Sequence, residues 1–498
     1  MRLSSFRVAR VSGRDAMPQM PPPNPFAPRT YGTLEAVTDR VHCWRNIVNS
    51  AVFVGDRGVA VVDTQVNTSS ARRLCAEVQR AFGKPILYAI NTHYHWDHAA
   101  GNAVFKAAGA QLVASQRTAR ALRERMPRQK DFLSSRGFEL GDDPLLPDIF
   151  AEATPEIDLG NLRLHLSLGH DAETADPTLV WCPQEKILAA GDTVMTGSFP
   201  IFGQPSQREG LENDDWIAAL DEVRAFGATA VIPGHGPVAH EAELQQFERI
   251  MRYFLDEVRR HHQAGHDLAA TIRTMEDDLP AWITRIPEVW GTPRYAILRV
   301  WAGLQASDEP GFHHFKPTAI PRTPIDPPAV DDRQAWEDMI AHCAEGGDVG
   351  QAVDLAEAAC ARFPAQPWAH VALARTMIAA SRGIASVLEK GDCFHRARTA
   401  IATALRIQPG HGPALLQEGQ FLTMMAFRNG EDPDRGEAAL TQAAAGELNV
   451  RERAEVAFYQ GIAARARGDE TAAKAGFAAA TRADPGFMPA MLALATTR

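Results

Sequence analysis

The chain lacks any stretch of 18 or more apolar residues, so no helical membrane span is expected. It also lacks a surplus of positive charge. Its 51 Lys and Arg stand against 61 Asp and Glu, and a net charge of −10 disfavours a nucleic-acid binder that works through phosphate contacts. Six cysteines, at 43, 75, 182, 343, 360 and 393, include no Cys-x-x-Cys pair and no dense framework, which fits a reducing compartment. The N-terminal stretch lacks the apolar run of roughly 7–15 residues that a secretory signal needs. Its Arg2, Arg7, Arg10 and Arg14, followed by a Pro-rich segment, describe a mobile arm (1–30) on a cytoplasmic protein. An organelle transit peptide is the alternative, and Met17 and Met20 are alternative starts. What remains is ordinary globular material: 498 residues, 45% hydrophobic and 22% charged, enough for about three domains with sizeable cores.

Short apolar runs alternate with helical patterns over 31–240. Val59–Asp63, Ile86–Asn91, Leu162–Leu166, Thr178–Trp181, Ile187–Ala190 and Ala230–Ile232 read as strands, and Ala71–Phe82 as a helix. This alternation predicts a layered α/β architecture. Residues 241–308 read as a helical extension, with Leu244, Phe247, Ile250, Met251 and Phe254 at three- and four-residue spacing. Six prolines (310, 317, 321, 324, 327 and 328) then mark a linker over 309–330. Residues 331–498 change to Ala-rich helices. Ala352, Ala359 and Pro364 share their spacing with Ala397, Ala404 and Pro409, and with Ala473, Ala480 and Pro485. Small residues at fixed offsets let paired helices approach, and each proline ends a pair. The copies are unevenly spaced, so a plain Ala-rich helical domain is the blander alternative.

The chemistry concentrates in His93-Tyr94-His95-Trp96-Asp97-His98. One helical face cannot present four potential ligands in six residues. A loop after a strand can, with alternate side chains diverging toward two neighbouring metals. Imidazole and carboxylate ligands suit zinc, with manganese or iron also possible. A chance histidine cluster is disfavoured because further candidate ligands follow along the chain.

This HxHxDH loop, the upstream Asp63, Asp192 in Gly191-Asp192-Thr193 and His235 in Pro233-Gly234-His235-Gly236 together resemble the metallo-β-lactamase superfamily. The resemblance covers roughly residues 31–240. It implies an αββα sandwich with a dinuclear metal site at one edge of the sheets, followed here by an all-α repeat-like domain. It assigns one metal to His93, His95 and a further ligand, and the other to Asp97, His98 and His235. Asp192 bridges them, and two divalent ions, zinc first, activate a shared hydroxide. Asp97 would orient that hydroxide or shuttle its proton.

For the further ligand, Glu173 and His170 compete. His170 sits in a Gly-His pair. Glu173 lies ten residues before Pro183, the spacing that family members use, and an acid here resembles the alkylsulfatase-like branch. The remaining candidate would orient a ligand by hydrogen bond. Residues 332–356, with Trp336, Met339, Ile340, Gly347 and Asp348, are similar to the start of the alkylsulfatase dimerisation domain, whose helical hairpins have a tetratricopeptide flavour. Only Arg208 falls near the anion-binding Arg of that branch, and it stands among Glu209, Glu212, Asp214 and Asp215. His240, His261, His262 and His266 read as exposed helix histidines. Trp96, Phe199 and Phe202 either wall an apolar pocket or simply fill a core, and Cys182 reads as buried packing.

The expectation is thus a dinuclear zinc hydrolase acting on an ester such as an alkyl sulfate, with a homodimer formed through the C-terminal helices. One alternative is a carbonyl-directed hydrolase (thioesterase, lactonase or β-lactamase-like). Another is an adaptor whose repeats bind a partner protein beside a scaffold metal domain.

Overall fold

Alternation along the strands decides which layer each side chain joins. In Val59–Val62, Val59 and Val61 pack with helix side chains, while Ala60 and Val62 join the strands of a second sheet. In Ile187–Met195, Ile187 and Ala189 face that shared interior, and Leu188 and Ala190 face outward onto helices. Two sheets, each half-buried on both faces, therefore stack with helices outside. The computed structural model describes residues 26–138, 145–203, 215–304, 327–328, 332–345, 348–384 and 387–495.

The first sheet runs in chain order: β1 (Thr33–Ala36), β2 (Val41–Arg45), β3 (Ser50–Val54), β4 (Val59–Val62), β5 (Ile86–Ile90), β6 (Gln111–Ala114) and β7 (Ile149–Phe150). The second contains β8 (Glu156–Asp158), β9 (Arg163–Leu168), β10 (Thr178–Cys182), β11 (Ile187–Met195) and β12 (Ala230–His235), in the order β12-β11-β10-β9-β8. Helices α1 (Thr68–Phe82), α2 (Trp96–Ala99) and α3 (Asn102–Ala107) accompany the first sheet, followed by α4 (Gln116–Glu124) and α5 (Met126–Ser134). Helices α6 (Asp215–Ala225), α7 (Glu241–Gln263), α8 (Leu268–Asp277) and α9 (Pro293–Leu304) cover the second. The Asn67 side chain caps α1 by accepting the Ser70 N–H, and Gly83 ends it at φ 60°.

Two parallel pairs place the functional edge. β4 runs parallel to β5 in one sheet, and β11 parallel to β12 in the other. Their C-terminal ends lie together and carry Asp63, the His93–His98 loop, Asp192 and His235.

The C-terminal part is all helical among the described residues. It contains α10 (Arg333–Glu345), α11 (Val349–Arg362), α12 (Pro367–Ala380), α13 (Val387–Ile407), α14 (Gly412–Asn429), α15 (Asp434–Ala444), α16 (Val450–Ala466), α17 (Glu470–Ala483) and α18 (Met488–Ala495). The six repeated alanines of the sequence pattern are all fully buried. The Asp348 and Asp469 side chains cap α11 and α17 by accepting the N–H of Gln351 and of Ala472. Gly461 is needed for close approach, since a Cβ there would stand 2.7 Å from the Phe477 ring.

A strap ties the two halves. Phe26 packs edge-on against Phe458 of α16, and Arg465 donates to the Phe26 carbonyl. The Tyr31 hydroxyl donates to the Phe427 carbonyl at 2.7 Å, and Arg73 of α1 to the Gly430 carbonyl at 2.8 Å. The Phe427 and Gly430 carbonyls lie at the C-terminal end of α14, where intrahelical partners run out.

Some expectations need correction. His261 is buried, because it continues the Phe254 and Val258 stripe of α7, and its Nδ1 lies 2.8 Å from His266 Nδ1. Phe199 and Phe202 belong to the core with Trp216 and Phe254 rather than to a pocket wall. Arg208 lies outside the described residues, as does the 309–330 linker apart from Pro327 and Pro328. No described helix is long and apolar enough to cross a membrane.

Candidate metal centre

The site starts from a backbone that is uncomfortable at two points. Asp63, just past β4, has φ 66°, and Gln65 has φ 82°, both in the left-handed region that non-glycine residues rarely occupy. Gln65 is held there by hydrogen bonds to Val48 O and to Ser50 Oγ. Asp63 uses its position to reach the ligand loop. It accepts the Thr92 N–H at 2.8 Å and lies 2.7 Å from His98 Nδ1. The Thr92 hydroxyl in turn lies 3.0 Å from His93 Nδ1. His235 Nδ1 lies 2.8 Å from the Ile47 carbonyl, whose loop is tied to β12 through Asn49 and the Pro233 and Gly236 carbonyls. Each of these three histidines thus has one ring nitrogen engaged and the other turned inward.

Those inward atoms meet. His93, His95, Glu173 and Asp192 bring one ligand atom each within 4.8 Å of one another, and so do Asp97, His98 and His235. Asp192 joins the two groups. Its Oδ1 is 3.3 Å from His98 Nε2, and its Oδ2 is 3.7 Å from His93 Nε2 and 3.6 Å from His235 Nε2. Glu173 Oε2 lies 3.0 Å from His95 Nδ1. His170 stands apart. It is exposed, and its backbone N–H donates to Glu222.

The residues fit cations. His93 Nε2, His98 Nε2, Glu173 Oε2 and Asp192 Oδ1 are all buried without an aligned hydrogen bond, which is rare for buried polar atoms. Three carboxylates and four imidazoles come together, all but Asp97 buried. Burial lowers His235, but Asp192 and Asp97 outweigh it and push the ring up to about 10. Burial likewise opposes charge on His98, yet Asp192, Asp63 and Asp97 raise it well above the ordinary value. Burial raises Asp97, and His98 and His235 overcome that to bring it to about 2. Burial, reinforced by His98 and His95, depresses His93 well below the ordinary value. The cluster carries an excess of negative charge that protons or dications can balance, and N/O donors of this kind suit zinc, manganese or iron.

Two aromatic neighbours complete the site. Trp290 places its ring 4.6 Å from that of His235. Its segment is stapled down by Phe199 N–H to Pro287 O and Gly291 N–H to Phe199 O. Trp96 is half-buried and packs on Phe138. The wall at Trp290 was missed by sequence reasoning, because that residue lies far along the chain from every ligand motif.

Residues 44–235 match the metallo-β-lactamase superfamily, so this part of the chain is a domain of that superfamily, a family of metal-dependent hydrolases. Among curated relatives, a type 2 metallo-β-lactamase of Elizabethkingia meningoseptica is 28% identical over 201 residues, covering 40% of this chain and 72% of the relative. A linear primary-alkylsulfatase of a Pseudomonas strain is 22% identical over 288 residues, 49% of this chain and 53% of the relative. The chain thus matches about half the length of that alkylsulfatase. A solved sec-alkylsulfatase from Pseudomonas sp., described as stereoselective and inverting, shares the fold with a TM-score of 0.51 at 17% identity, over 76% of this chain and 66% of its own. That coverage is larger than the superfamily domain alone and takes in helices beyond it.

Proposed function

We propose that this protein is a dinuclear zinc hydrolase acting on an ester, with an alkyl sulfate ester as the first candidate substrate. The observation that carries the reading is Glu173 inside the cluster with His170 outside it, the arrangement that resembles the alkylsulfatase-like branch. In this reading His93, His95 and Glu173 hold one ion, Asp97, His98 and His235 the other, and Asp192 touches both. Such ions supply Lewis acidity and lower the pKa of bound water from about 15.7 towards about 7. Asp97, with its side chain 14% exposed, is the most open of the seven ligands, so it is placed to orient water and pass on its proton. Asp63 and Thr92 fix the rings of His98 and His93. Trp290 and Trp96 offer apolar surface to a substrate tail. Homodimerisation through the C-terminal helices is part of the same proposal, where α18 leaves Met488, Met491 and Leu492 exposed.

The test is metal content of the wild type, Glu173→Ala and His170→Ala, with each assayed on a medium-chain alkyl sulfate and a nitrophenyl ester. Two metals per chain, lost with Glu173→Ala only, together with sulfate release, are expected. The β-lactamase relatives favour a second reading, carbonyl hydrolysis. Nitrophenyl ester cleavage without sulfate release puts that reading ahead, and a wild type that binds no metal overturns both.

A further inference from the structure

The ligand loop is braced from behind by a helix that contributes no ligand. Gln129 of α5 accepts the Trp96 N–H at its Oε1, 3.1 Å away. That N–H opens the first turn of α2, between His95 and Asp97, where a helix leaves its amides without internal partners. Gln129 is 9% exposed, and its Nε2 is buried with no hydrogen-bond partner. A buried donor left unsatisfied is unfavourable. Gln129 therefore does not improve its own surroundings, and what it does achieve is a fixed Trp96 amide. The Trp96 ring is steadied as well, by Phe138 just past α5, with centroids 5.1 Å apart.

α5 is itself gripped by the C-terminal helices. Arg398 of α13 donates to the Ser134 carbonyl at 2.6 Å, in the last turn of α5, sharing that oxygen with the Gly137 N–H at a helix end where a cation is welcome. Arg136 pairs with Asp392 of the same helix at 3.2 Å. Phe421 of α14 clusters with Phe138. Between them Gly137, at φ 93°, permits a contact no other residue could make, since a Cβ there would stand 2.2 Å from the Phe421 ring.

We propose that Gln129 is a positioning residue for the ligand loop, and that the α13–α14 face sets its place through α5. The C-terminal helices would then shape the metal site without touching it. The consequence for chemistry rests on the metal-site reading above, whereas the brace is a property of the protein alone.

The experiment uses the full chain with two readouts. One is hydrogen–deuterium exchange of the segment spanning 93–99 in metal-free protein. The other is the visible absorption of the cobalt-loaded form, which reports ligand geometry. Gln129→Met keeps the shape and removes the acceptor, and Gln129→Glu restores an acceptor. Arg398→Ala acts from the far end and serves if Gln129→Met does not fold. Gln129→Met is expected to speed exchange at Trp96 about tenfold, shift the cobalt bands and weaken metal affinity about 10-fold or more. Gln129→Glu is expected to reverse these changes, and Arg398→Ala to reproduce them in weaker form. Unaltered exchange in Gln129→Met overturns the brace. Faster exchange with wild-type cobalt bands overturns its role at the site. Wild-type protein that takes up no cobalt sinks the metal reading, and the exchange result still decides the brace.

Discussion

Asp63 Oδ2 lies 2.7 Å from His98 Nδ1, both fully buried, and the same carboxylate accepts the Thr92 N–H. One side chain at a left-handed backbone position thus orients a candidate ligand and anchors the strand end that delivers His93, His95 and Asp97. Asp63→Asn keeps the shape and removes the charge. It is expected to lower metal affinity about 10- to 100-fold with little change in far-UV circular dichroism. Titration with a competing chelator measures it, and wild-type affinity would show that Asp63 serves the fold alone.

Gly234 lies under the Asp192 carboxylate, and a Cβ there would stand 1.9 Å from Asp192 Oδ1 and 3.0 Å from His98 Cε1. Gly234→Ala must therefore push Asp192 aside. Bound metal is expected to fall by at least about half and turnover by about 100-fold, the scale of a misplacement near 1 Å. Metal analysis beside a thermal melt separates this from general unfolding.

Chelation should destabilise the superfamily domain. An ion that binds only the folded state at about 1,000 times its dissociation constant adds about 4 kcal/mol. Tm should drop on chelation and recover with zinc. A Tm indifferent to chelator and zinc would argue that the buried cluster is balanced by protons alone.

Tyr31→Phe deletes the hydrogen bond to the Phe427 carbonyl and leaves the ring against Arg73. A loss of about 0.5–1.5 kcal/mol is expected. The change should appear first as easier proteolysis near the strap, with metal content unchanged. Equal protease resistance in both proteins would mean the strap is held by Phe26 and Arg73 instead.

The parts of this protein legible in its sequence are those whose logic is local. His93 to His98 announce a metal loop by ligand type and spacing, and Val59–Val62 announces a two-faced strand by its β-branched run. The ten-residue spacing to Pro183 favours Glu173, yet His170 stands only three residues away. Only the folded chain turns one inward and the other to solvent. His261 was misread because a histidine on an apolar stripe looks like its exposed neighbours until the stripe is traced. The places of Gln129 and Trp290 beside the site are hidden in the sequence for a different reason. Each meets the site through a partner distant in sequence, 33 residues away for Gln129, and no motif encodes such a meeting.

The strap at Phe26 sets an order of events in synthesis. Its seat is built from α16, and Arg465, which holds its carbonyl, lies 439 positions later. At about 5–20 residues per second, a ribosome needs roughly 20 to 90 s to make that interval. Throughout it, Phe26 has no pocket to enter. The β-sandwich must hold together unlatched until α16 has emerged.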